Sequence, residues 1–383
     1  MSNKLGKTHV IWQGKHEGPP VGISLKPGLS GDIIPFQTEG FHISDQGMVF
    51  HNLIDQIASV WIRPLMTARK IAGSLESSIS KFLITIRPDG TYYFNMNFQS
   101  AVTAIINRSI KAGEAILQED LVDISRISYP AIPIKEDDCV ISFFSDCWRH
   151  GIYYNFKASH GEKFSVDKFE QDMARFHLEL SHSECYISDS VTAKMAKDGW
   201  FPFLAISGMF FKQLYRQYHS DPLFPGNGQS ILDYYTADRL EQMKDFWISR
   251  ESIKPHAAFI ESALRSYQAG DYIACINTLY TRIEGVMRFL YLPSQHKPHI
   301  PDLRAELKRR ASAKFSEYSL SRHSAFDEYL KDHFFTGFDL ATGQLDLSRV
   351  SVAHGVAPET AYTKSRALIG FLILNQIAHY CVQ

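Results

Sequence analysis

Ala269-Gly-Asp-Tyr-Ile-Ala-Cys-Ile-Asn-Thr-Leu-Tyr-Thr-Arg-Ile-Glu-Gly285 is the stretch on which the reading of this chain turns. Gly270 is a stop signal for the helix predicted over Ala257–Gln268. From Tyr272 to Leu292, the residues Ile273, Ile276, Leu279, Ile283, Val286, Met287 and Leu290 recur at helical spacing, in a stripe wide enough to face a core. Working toward the C-terminus, Pro301–Ser312 starts with proline in its first turn and is rich in Arg and Lys, which predicts another helix. Ser324–Phe334 reads as a short helix and Phe338–Leu347, with Thr342-Gly343 at its centre, as a hairpin-like excursion. A long apolar helix is predicted over 363–380, carrying Leu368, Phe371, Leu372, Leu374, Ile377 and Ala378.

Toward the N-terminus the pattern changes at Ser249–Pro255, the best candidate boundary. Before it, 118–249 is mixed: Val140–Phe144 and Gly151–Phe156 read as strands. Ser165–Leu180 reads as a helix with Ser165 at its cap and Phe169, Met173, Phe176 and Leu180 on one face. The aromatic run Trp200–Tyr218 reads as a helix buried on most sides rather than a base-stacking platform. Residues 1–117 read as β. Val10–Trp12, Gly22–Leu25 and His42–His51 are short alternations, and Leu83–Arg87 with Thr91–Met96 form a hairpin around Asp89-Gly90. Ala101, Ala104, Ile105 and Ile110 predict a helix over Gln99–Leu117 that closes the strands. That succession resembles, in pattern, a pleckstrin-homology barrel, which implies a sensing or regulatory part. The expected fold class is α+β and multidomain: a β-rich part over 1–117, a mixed segment over 118–249 and an all-α bundle over 250–383.

Composition narrows the function. The 383 residues hold 40 Lys+Arg against 41 Asp+Glu, a net charge of −1, which excludes a protein that coats nucleic acid by bulk charge. The balance is uneven: 1–249 carries 24 basic and 28 acidic residues, and 250–383 carries 16 and 13. An excess of that size suits transient contact with a few phosphates. The longest apolar stretches, Trp200–Phe211 and Ala367–Leu374, fall short of the roughly 20 residues that span a bilayer. The first nine residues lack the apolar core of a signal peptide. Five scattered cysteines with no C-x-x-C pair argue against a disulfide framework or zinc ribbon. The expectation is a reduced, cytoplasmic protein.

Chemistry concentrates in Leu347-Ser-Arg-Val-Ser-Val-Ala-His-Gly355. On a regular helix Arg349 and His354 stand about 140° apart, so they converge only where the segment is irregular or begins a helix. Gly355 and Pro358 supply an interruption. An always-charged fork donor, an imidazole and a following helix N-terminus would together make a phosphodiester site. This stretch resembles the R-x4-6-H motif of HEPN domains, helical bundles whose active members are metal-independent ribonucleases. The 269–285 stretch is similar to their second-helix region. The resemblance covers about 250–383 and implies a fold and a reaction. His354 would be general base or acid while a ribose 2′-OH attacks the adjacent phosphate, and Arg349 would hold that phosphate. It further implies an RNA substrate, no metal or other cofactor, pairing of two chains through the bundle, and a role as a toxin or effector in bacterial antiviral defence, with a regulatory protein as a further partner.

Departures matter. Many active members carry a polar residue after the arginine, where this chain has Val350; Ser348 and Ser351 are candidates to replace it. Glu284 and Arg288 form an E-x3-R pair similar to one that orients the catalytic pair in several such nucleases, and also one spaced for an ordinary helix-surface ion pair. Arg304, Lys308, Arg309 and Arg310, with Lys314 and Arg322, form either an RNA-phosphate track or a solvated helix face. The alternative function is a non-catalytic dimerisation or interaction module. A third, lipid or phosphopeptide binding by the N-terminal part, has no basic loop cluster behind it. His177-Leu-Glu-Leu-Ser-His182 lacks zinc-protease spacing, His296 and His299 read as a loop pair, and Cys139 and Cys147 as core thiols.

Overall fold

The computed structural model describes residues 9–24, 26–70, 81–96, 98–106, 110–117, 120–146, 149–186, 189–206, 208–219, 228–290, 297–315, 319, 321–339, 341 and 347–381. The chain is mixed α+β, with a β-rich N-terminal part and a helical C-terminal part. It forms two compact units, each assembled from two stretches: 1–103 with 124–183, and 104–123 with 184–383. The sequence change at 249–255 falls within the second unit.

The first unit grows from the Asp89-Gly90 turn. Gly90 sits at φ +78, where L side chains are strained, and a Cβ there would lie 2.3 Å from the His16 carbonyl oxygen. The turn joins β3 (Lys81–Ile86) to β4 (Thr91–Met96). With β1 (Val10–Lys15), β2 (Glu39–Ile43), β7 (Cys139–Asp146) and β8 (Arg149–Asn155) they make a six-stranded antiparallel sheet in the order β1-β4-β3-β7-β8-β2. Strand periodicity divides its core into two. Phe82, Ile84, Ile86 and Phe94 face α1 (Met48–Ile57) and α2 (Arg63–Ala68), meeting Phe50, Leu53, Ile57 and Leu65. Leu83, Val140 and Tyr153 face the opposite way, against Phe169, Met173 and Leu180 of α3 (Val166–Tyr186). The Ser165 hydroxyl accepts the Lys168 N–H (3.2 Å), the cap its sequence position predicts.

Several expectations need correction. His42–His51 is strand only to Ile43; Gly47 (φ +60) turns the chain into α1, whose apolar residues fall at i, i+3 and i+7. Gly22–Leu25 contributes only a bridge, Ile23 to Gln37, with Leu25 outside the described residues. The helix predicted over Gln99–Leu117 does not form. Ala101–Ile106 is strand β5, paired with β6 (Leu121–Ser128) in a separate two-stranded sheet. Val102, Thr103, Ile105 and Ile106 are β-branched and stiff at χ1, which favours the extended chain. Trp200–Tyr218 is helical only from Gly208, as α5 (Gly208–Tyr218), after α4 (Asp189–Lys197). Trp200–Ile206 is buried irregular chain, and Pro202 explains why, lacking an N–H and disfavouring helix before it.

The second unit packs α6 (Gln229–Tyr234), α7 (Ala237–Ile248), α8 (Ala257–Gln268), α9 (Tyr272–Phe289), α10 (Ile300–Lys314), α11 (His323–Tyr329), α12 (Arg349–Ala353) and α13 (Lys364–Tyr380). α13 is buried along its whole length from Ala367 to Tyr380. Its Gly370 admits α9 closely: a Cβ would stand 2.8 Å from Leu279 Cδ2 and 2.9 Å from Tyr280 Cε1. The polar groups of so buried a helix must find partners. Asn375 Oδ1 accepts from Trp247 Nε1 (2.9 Å), while Gln376 accepts the Leu204 N–H (2.9 Å) and donates to the Ser321 carbonyl oxygen (2.8 Å). No helix among the described residues is long and apolar enough to cross a membrane. The hairpin expected over Phe338–Leu347 falls largely outside the described residues.

Candidate functional site

Ser348 starts α12 with a capping box. Its Oγ accepts the Ser351 N–H (3.0 Å) and the Ser351 Oγ accepts the Ser348 N–H (2.8 Å). The helix stops five residues on. Gly355 (φ +68) donates its N–H to the Val352 carbonyl oxygen (3.1 Å) and Val356 to that of Ser351 (3.0 Å), the paired bonds of a Schellman cap. Arg349 is therefore the first residue of a short helix and His354 its C-cap.

The two have different neighbours. Arg349 turns toward α9, on which α12 packs, and its Nη2 forms an ion pair with Glu284 Oε2. The Arg349 side chain is 23% exposed and its Nε is buried without a hydrogen-bond partner among the described residues. His354 is exposed, its ring 5.4 Å from that of Phe338. Arg349 and His354 thus engage different neighbours, Glu284 and Phe338, with a regular α12 backbone between them.

Glu284 is instead where the chemistry gathers. Only 6% of its side chain is exposed, and its second oxygen, Oε1, receives Arg288 Nε (2.9 Å) and Nη2 (2.7 Å). Arg288 Nη1 also donates to the Pro298 carbonyl oxygen (2.9 Å). Two guanidinium groups thus share one buried carboxylate, an excess of positive charge within the trio. Behind it, buried His256 lies against α9 at Gly285; burial, reinforced by the Arg282 charge, pushes its pKa down.

Other sequence candidates take other places. Ser348 and Ser351 are fully buried and spent on the cap; Ser348 Oγ also donates to the Thr336 carbonyl oxygen (2.9 Å). Arg304 pairs with Asp327 (2.9 Å), and Arg309 and Arg310 both engage Glu306 (2.7 Å each). Lys308 is exposed and makes no ion pair among the described residues. Lys314 donates to the His379 carbonyl oxygen (2.8 Å). His177 stacks on Phe144, ring centres 4.1 Å apart, its pKa pushed down to about 4 by burial and, less, by Lys81. Cys139 is a buried free thiol. Cys147, His296 and the His182 side chain lie outside the described residues, and among those residues no group of His, Cys, Asp and Glu is arranged to hold a metal.

The pairing of Arg349 with Glu284 spans 65 positions, and no local pattern announces it. Phe338 beside His354 and the Pro298 carbonyl beside Arg288 were likewise missed, being loop contacts without periodicity. Comparison with known proteins found no matching family model, no similar curated protein and no similar solved structure.

Proposed function

We propose that the second unit is a HEPN-like, metal-independent endoribonuclease site. The observation that carries this reading is the Arg288–Glu284–Arg349 trio, a fixed and positively biased group of guanidinium donors one short helix away from an exposed imidazole. A phosphodiester beside the trio would meet bidentate donors, and the buried carboxylate would hold Arg349 in one orientation. In the proposed reaction the ribose 2′-oxygen bonds to phosphorus as an imidazole removes its proton. The P–O5′ bond breaks, and the leaving oxygen takes a proton from an imidazolium. His354 faces solvent, so in this reading the second imidazole and the completed cleft come from a second copy of the chain. The proposed setting, by family resemblance, is a toxin or antiviral effector of bacteria.

The test is cleavage of fluorescent RNA by the full chain in excess chelator. The expected products end in 2′,3′-cyclic phosphate, and Arg349→Ala and His354→Ala each lower the rate at least a hundredfold. Cutting that survives both substitutions, or its absence from the wild-type chain, defeats the reading.

One observation favours a second reading. His354 lies against Phe338 rather than Arg349, as it would if the trio only pinned α12 to α9 in a non-catalytic interaction module. That reading predicts no RNA cleavage and chain pairing that His354→Ala leaves intact.

A further inference from the structure

The first unit contains a groove of about 780 Å³ that the proposed nuclease site does not use. Its floor is apolar and buried: Leu53, Ile57, Trp61 and Phe156. One wall is the outer face of α1 and the turn after it, where Met48, 74% exposed, and Val60 stand in water. Ile23 and Ile34 of the Gly- and Pro-rich segment between β1 and β2 form the opposite wall. The size is that of a pocket holding a small organic molecule, and exposed apolar walls over an apolar floor are costly unless something covers them.

Two further observations concern what covers them. At Ala58–Ile62 the helix widens, and the Arg63 N–H bonds to the Ala58 carbonyl oxygen, five residues back. Such wide turns are rare and collect at functional sites; this one sets Val60 and Trp61 into the groove, with Trp61 held edge-on to Tyr92 (5.0 Å). The second is charge. Among the described residues, the ionisable side chains lining the groove are Lys26 and His16, and no carboxylate lines it. Lys26 is exposed and makes no ion pair among the described residues. Asn52 and Gln56, one helical turn apart on the same wall, are exposed, and no hydrogen bond occupies their amides among those residues.

From this charge complementarity we infer that the groove binds a single-chain amphipathic anion, an unbranched acyl carboxylate, with the chain along Leu53, Ile57 and Trp61 and the carboxylate at Lys26. Burying a chain of methylenes suits the floor, and one exposed ammonium together with two exposed side-chain amides in the lining suits one carboxylate.

Isothermal titration of the full chain with dodecanoate, below its micelle concentration, tests this. One molecule is expected to bind per chain. Decanoate should bind about 15-fold more weakly, the loss of two buried methylenes. Lys26→Gln should weaken dodecanoate about three- to fivefold, as an exposed pair does, and leave dodecanol unaffected. Val60→Glu should abolish binding with the near-ultraviolet circular dichroism unchanged; Met48→Glu serves the same purpose if Val60→Glu disturbs the fold. The inference is overturned if dodecanoate fails to bind, if dodecanol binds as tightly, or if neither glutamate variant matters. Sedimentation with phosphatidylserine vesicles, or a dimer that Val60→Glu dissociates, in either case without dodecanoate binding, would assign the groove to a lipid surface or to a second copy instead. RNA cleavage is not a readout here, so failure of this inference leaves the nuclease proposal intact.

Discussion

Replacing Glu284 with alanine removes the carboxylate that two arginines share. For a fully buried pair, stranding one charge costs about 3–5 kcal/mol. Neither arginine is fully buried: the Arg349 side chain is 23% exposed and that of Arg288 46%. Water can resolvate Arg288 almost completely, so its share is small. Arg349, with a buried Nε, bears most of the penalty, and the expected loss for Glu284→Ala is about 2 kcal/mol. Arg349→Ala alone should cost about 1 kcal/mol, and the double variant should cost about 1 kcal/mol less than the sum, because the stranded charge has gone with its partner. Urea unfolding followed by circular dichroism, analysed as a double-mutant cycle, measures all three. An additive cycle, or a Glu284→Ala loss under about 0.5 kcal/mol, would show that α12 does not depend on this ion pair and would refute the electrostatic account of the site.

His177 yields a pH prediction. Its pKa is lowered from 6.5 to about 4 in the folded chain, so below pH 6.5 the unfolded chain takes up the proton more readily and stability falls with acid. The loss should run between about pH 6.5 and 4 and reach up to about 3 kcal/mol; His177→Phe, which keeps the stacking on Phe144, should flatten that part of the stability profile. Gly370→Ala should destabilise by about 1–2 kcal/mol despite alanine's better helix propensity. The new methyl meets the Tyr280 ring, which is buried and tied through its hydroxyl to the Arg366 carbonyl oxygen (3.1 Å), and thermal unfolding would register the loss.

What the sequence made legible was local. The Asp89-Gly90 hairpin between Leu83–Arg87 and Thr91–Met96 and the helical stripe ending at Leu290 each announce an element over a short stretch, although Ile273, counted in that stripe, is exposed. Ambiguity arose where two periods fit the same residues. Ala101, Ala104 and Ile105 satisfy a helical template, yet β-branching at Val102, Thr103 and Ile106 decides for the strand. Pro202 was the overlooked signal within an aromatic run. The candidate site shows the same division: the Glu284–Arg288 pair follows from i,i+4 spacing, whereas its junction with Arg349 depends on α12 docking against α9, a tertiary event. Capping, equally, takes Ser348 out of reach through bonds to Ser351 and Thr336 that only the folded chain defines.

The interlaced make-up of the two units has a consequence for biosynthesis. A ribosome releases 104–123, with Ile105 and Val122 destined for the helical core, before it releases the last third of the first unit. Its ends, in β5 and β6, can pair with each other while β7, β8 and α3 emerge and complete the sheet, but Ile105 and Val122 meet their helical-core partners only once residues beyond 183 follow. The helical core therefore keeps its earliest piece waiting until the first unit has been synthesised in full. Until then Ile105 and Val122 lack their core partners, and slowing translation near codon 183 should lengthen that interval.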